Sequence, residues 1–99
     1  MDNKFSFDKK KYEELNEKIE KLLELIYLYE SDIDLKNLRE KEIIKKIASI
    51  SHLAKILSKN LENDVKPIIQ DVIVFLKDPT QKKKLLSDLY RLKENLWEL

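Results

Sequence analysis

His52 is the only histidine in the chain, and no cysteine accompanies it. The two-histidine and Cys/His clusters that hold zinc are therefore out of reach, and no serine and carboxylate stand around His52 in the pattern of a Ser/His/Asp nucleophile. It lies in Ser49-Ile50-Ser51-His52-Leu53, off the apolar seam of its segment, where an ordinary surface or boundary histidine is expected. Glu13 with Glu17 and Glu20 with Glu24 are four apart, a spacing that sets carboxylates on one helix face. Di-iron bundles use such pairs, but together with Glu-x-x-His, which this chain lacks, so these glutamates read as a solvated face alternating with lysine. The sequence contains no glycine, which removes the phosphate-cradling loops of nucleotide enzymes. The expectation is a protein that is not an enzyme and that holds neither cofactor nor metal.

Two kinds of binding chemistry remain. Lys77 with Lys82, Lys83 and Lys84 forms the strongest local charge, a candidate anion site near the start of the last helix. The formal net charge is only +1, so long-range attraction to nucleic acid is weak and any such function must be local. The second candidate is apolar. Leu22 to Tyr29 carries a single charge, Glu24, and while Leu22, Ile26 and Tyr29 fit one seam, Leu25 and Leu28 fall on its flank. Phe5 and Phe7 near one end and Trp97 near the other add aromatic material, and surplus apolar surface of this kind marks partner sites. Leu25, Leu28, Phe5, Phe7 and Trp97 are the expected partner-binding residues.

The elements that must carry these residues are helices. Of the 99 residues, 42% are hydrophobic and 39% charged, a profile of amphipathic helices. Without glycine, the left-handed positions that hairpins and many sheet turns need have no natural occupant. Tyr12, Leu15, Ile19, Leu22, Ile26 and Tyr29 recur at steps of three and four and predict a first helix over 8–30, behind an arm at 1–7. Ser31-Asp32-Ile33-Asp34 breaks it. Ile43, Ile47, Ile50, Ala54, Leu57 and Leu61 predict a second helix over 35–60, with Leu35 and Leu38 able to form a separate short turn. Pro67 in a first turn predicts a third helix over 65–77. Its run from Ile68 to Leu76 is apolar around most of its circumference, so it is expected to be the most buried. Asp78-Pro79-Thr80-Gln81 reads as a helix start, with Asp78 as cap and Gln81 reaching back, and the seam Leu85, Leu89, Leu92, Leu96 and Leu99 carries the fourth helix to Trp97. The expected fold is all-α, a small antiparallel bundle of about four helices forming one domain over 1–99.

From Phe75 onward, Phe75-Leu76-Lys77-Asp78-Pro79 followed by Lys83, Leu86, Leu89 and Leu92 resembles the closing element of a family of small helical proteins of unknown function. Its members accompany formate-dehydrogenase-like or heterodisulfide-reductase-like redox enzymes, and the resemblance, over the last quarter of the chain, implies an accessory subunit. In size and class the chain is also similar to the immunity proteins of pediocin-like bacteriocins.

No secretory signal is visible, and the longest apolar runs fall far short of the ~20 residues that cross a bilayer. With the absence of cysteine this suits the cytoplasm. Lysine outnumbers arginine eighteen to two, as in thermophiles and in AT-rich genomes alike. The leading functional expectation is a non-catalytic protein-interaction module, either an accessory subunit of a larger complex or a homo-oligomer. An immunity-type or regulatory bundle that neutralises a partner stands second, and a nucleic-acid binder using the lysine patch third.

Overall fold

The computed structural model describes residues 2–31 and 33–96, with side chains from residue 9 onward except at 33. Four helices follow one another: α1 (Asp2–Leu28), α2 (Lys36–Leu57), α3 (Lys59–Lys77) and α4 (Lys82–Leu96), with single 3-10 turns at Ile33–Leu35 and Pro79–Gln81. Among the described residues, α1 packs on α2 and α4, α3 packs on the same two, and diagonal helices do not approach one another. The arrangement is a four-cornered antiparallel bundle. Glu20 pairs with Lys93 at 3.0 Å while Tyr27, further along α1, meets Tyr90, earlier in α4, so these two helices run in opposite directions.

The seams account for the core. Leu15, Ile19, Leu22 and Ile26 from α1 with Tyr29 just beyond it, Ile43, Ile47, Ile50 and Ala54 from α2, and Leu85, Leu89, Leu92 and Leu96 from α4 are all buried. In α3 the buried stripe is Leu61, Val65, Ile68, Val72 and Phe75. Tyr29 and Phe75 close the end of the bundle where α1 and α3 finish, their ring centroids 5.2 Å apart and tilted by 53°, a favourable aromatic arrangement.

Two of the three corners of this glycine-free chain are turned by a residue in extended backbone, Ser58 and Asp78. No described residue has positive φ. Ser58 alone separates α2 from α3: its N–H donates to the Ala54 carbonyl, finishing one helix, and its Oγ accepts from the Leu61 N–H, starting the next. Asp78 repeats the device, its N–H donating to the Val74 carbonyl while its carboxylate accepts from the Thr80 N–H at 3.2 Å and the Thr80 hydroxyl at 2.6 Å. Those bonds hold the Asp78 carboxyl below the usual carboxylate range, with a further contribution from the Gln81 side chain. Arg39 and the Ser31 hydroxyl both bond the Leu28 carbonyl, which satisfies an orphan acceptor at the end of α1.

Two boundaries, and the burial of α3, differ from those expected. The stretch expected as an arm at 1–7 is helical from Asp2, continuous with α1, because it contains neither proline nor glycine to stop a helix. Helix α3 begins at Lys59, six residues before Val65. Leu57 and Leu61 stand one turn apart and carry the apolar period straight across Ser58, which conceals the corner. Pro67 therefore sits inside α3 and not in its first turn, with its unpaired carbonyl partner Asn63 on the exposed side. Nor is α3 buried all round: Ile73 and Val74 are exposed, since in a four-cornered bundle each helix covers only the stripe facing its two neighbours.

Candidate functional site

In an α-helix, consecutive residues point about 100° apart, so an apolar residue next to a seam position looks out along the flank of the helix. Ile44 follows Ile43 in α2, and Ile73 follows Val72 in α3. Both flanks face the same side of the bundle, where they line a groove of about 700 Å³ together with Ala48, Ser51, Ile69 and Leu76. Small side chains at Ala48 and Ser51 leave the space open. Ile44 remains 49% exposed and Ile73 43%. The groove floor is apolar, formed by Ile47, Ile69 and Val72, and its charged groups, Glu40, Lys55 and Lys77, stand along its length towards the two ends. His52 lies exposed on the groove, with no carboxylate bonded to it, as expected of an ordinary surface histidine.

Sequence reasoning did not single out Ile44 or Ile73. The signal was the adjacent pair, Ile43-Ile44 and Val72-Ile73, in which the seam uses only one member. Other exposed apolar side chains, such as Leu38 and Ile56, do not line this groove and are ordinary for a protein surface.

The expected partner residues on α1 separate. Leu25 is 7% exposed and belongs to the core, which corrects its placement on an open flank: that flank is where α2 packs. Leu28 is 41% exposed, on the outer face of α1. Phe5 and Phe7 fall within the first turns of α1, but their side chains lie outside the described residues, as does Trp97 altogether.

The four lysines of the candidate anion site do not converge. Lys82 stands over the Tyr27 ring at 5.1 Å, Lys84 pairs with Asp71 at 3.3 Å on the α3 side, and Lys77 lines the groove. Lys82, Lys83 and Lys84 are successive in one helix, so their stems fan out through more than half a turn.

The one buried charged residue among those described is Asp71, 8% exposed. Burial first, and a hydrogen bond with the Asp88 carboxyl second, push its pKa above the usual value, with Lys84 opposing. Its second oxygen, Oδ2, is buried and no N–H donor reaches it. No group of three or more metal-ligating side chains occurs among the described residues, and no helix there is long and apolar enough to cross a membrane.

No family model matches the chain, and neither a curated protein nor a solved structure is significantly similar to it.

Proposed function

We propose that this protein is a non-catalytic protein-binding module whose docking surface is the α2–α3 groove. The observation that carries the reading is the pair Ile44 and Ile73, half-exposed on one open groove of about 700 Å³. Burying an isoleucine is worth ~1.5 to 3 kcal/mol, so two of them facing one another across a groove represent affinity held in reserve for a partner. The floor offers no convergent polar groups to orient a small substrate, whereas an open trough between two helices accepts the apolar face of another protein element. An accessory subunit, as the likeness over 75–92 implies, is one form of this function, and an immunity-type bundle differs only in what the groove captures. A cytoplasmic setting, suggested by the absence of cysteine, belongs to the same proposal.

The test is co-purification from the native source with the unmodified chain and with an Ile44→Lys, Ile73→Lys double variant as baits. A partner retained by the first and lost by the second, with the helical circular dichroism of both unchanged, is the expected result. If the double variant keeps every protein that the unmodified chain binds, the groove is not the docking surface.

A further inference from the structure

Basic charge collects along both walls of the groove. In α2 the charged residues within about 60° of the Ile44 direction are Lys41 and Lys55, against Glu40. In α3 those within about 60° of Ile73 are Lys59, Lys66 and Lys77, against Glu62. All five lysines are exposed, whereas both glutamates are half-buried. This face therefore carries a net charge of +3 on a chain whose formal total is +1, which leaves −2 for the rest of the molecule. None of the five lysines forms an ion pair with a described residue, although Lys18, Lys21, Lys84 and Lys93 each do so elsewhere in the bundle.

The lysines are also ordered along the groove. Because α2 and α3 are antiparallel and meet at Ser58, Lys55 and Lys59 stand at the corner end and Lys41 and Lys77 at the other, with Lys66 between them, one turn from Ile69. The apolar stretch of Ile44, Ala48, Ile69 and Ile73 occupies the middle. From Lys59 to Lys77 the face runs about 27 Å, the length of roughly five helical turns. Like charges held around an apolar trough repel one another, and a negatively charged occupant relieves that repulsion. A second copy of the same face would set +3 against +3, and a nucleic acid would satisfy the lysines while leaving Ile44 and Ile73 uncovered.

We propose that the occupant of the α2–α3 groove is an acidic amphipathic helix of another protein, with apolar anchors in its middle and carboxylates on its flanks towards both ends. This rests on the reading of the groove as a protein-docking surface and adds the chemistry of the partner. The anchors lie on the isoleucines, while the carboxylates reach lysines on both walls.

Fluorescence anisotropy of two labelled peptides titrated with the full chain tests it. Both are alanine-based and about 18 residues long, with leucine at central positions spaced i, i+4 and i+7. One carries glutamate on its flanks and the other lysine at the same places. At about 50 mM salt the glutamate peptide should bind at least about tenfold more tightly than its lysine twin, and the difference should shrink as salt is raised to about 0.5 M. Lys41→Glu with Lys66→Glu and Lys77→Glu takes the face from +3 to −3 and should reverse the preference. Ile44→Ser with Ile73→Ser leaves the charge unchanged and should weaken the glutamate peptide at least about fivefold. Circular dichroism confirms that each variant is folded. A glutamate peptide that does not bind, or a lysine twin that binds as well, overturns the proposal. So does undiminished binding to the serine variant, displacement of the peptide by a weaker-than-stoichiometric amount of single-stranded DNA, or a groove already closed by self-association in sedimentation. A lysine twin that binds more tightly and is lost from the serine variant overturns the acidic character alone and leaves the docking groove standing. A native partner retained by Ile44→Lys, Ile73→Lys overturns the groove reading itself, and the proposal with it.

Discussion

Lys84 Nζ stands 3.3 Å from Asp71 Oδ1, yet the Asp71 carboxyl titrates above the usual carboxylate range. Burial between α3 and α4 penalises the charge, and the hydrogen-bonded Asp88 carboxyl adds to the penalty, so one ion pair to an exposed lysine is outweighed. Folding therefore favours protonated Asp71. Its stabilising effect is fully present below the unfolded-state pKa and is lost as pH rises through the folded-state value.

Asp71→Asn should accordingly raise stability at pH 7 by ~1 kcal/mol, since a neutral amide can donate to Asp88 and accept from Lys84 without burying a charge. The advantage should shrink as pH falls through the raised folded-state pKa of Asp71, where the native residue becomes neutral too. Urea unfolding of both proteins across that range measures the difference; a constant gap would mean that Asp71 is not the group titrating.

Removing either corner cap should cost ~0.5 to 2 kcal/mol, because Ser58→Ala leaves the Leu61 N–H unpaired and Asp78→Ala does the same to Thr80. The two differ in pH dependence. Asp78 titrates low, so its contribution is present above the unfolded-state pKa and disappears as pH falls through the folded-state value, while that of Ser58 does not titrate. Unfolding midpoints at pH 7 and in acid separate them.

On α1, Leu25→Ala should destabilise by ~2 to 5 kcal/mol through the cavity it leaves, and Leu28→Ala should stay within ~0.5 kcal/mol. Equal effects in thermal or denaturant unfolding would place both side chains in the same environment, contrary to the packing of α1 on α2.

Because Lys82, Lys83 and Lys84 fan around α4, no more than two can address one phosphate backbone. Any DNA binding should therefore fall with salt at a log–log slope no steeper than about −2. A slope near −4, read from binding measured at several salt concentrations, would show that Lys77 and all three of the others converge.

Much of the bundle was legible in the order of residues. Seam periodicity identified four helices and fourteen of the 21 core residues, though not Leu23, Leu25, Leu53 or the stripe of α3, and Asp78-Pro79 announced one corner. These are local signals, since 3.6-residue spacing and capping chemistry act within a turn or two of the chain. Ser58 escaped notice because an apolar period of four runs through it, so the corner lay only in a hydroxyl that could equally sit on a helix surface.

What tertiary structure alone decided is which apolar residues beside the seams are covered. Leu25 and Ile44 are alike in sequence terms, each an aliphatic residue off its seam, yet Leu25 is buried by α2 whereas Ile44 looks into an open groove. The same holds for charge: the pairing of Asp71 with Lys84 and Asp88 arises only when antiparallel helices are set side by side. Periodicity fixes a side chain's direction around its own helix, but burial depends on which neighbour stands in that direction and how large its side chains are, and that is set by the packing of the whole bundle.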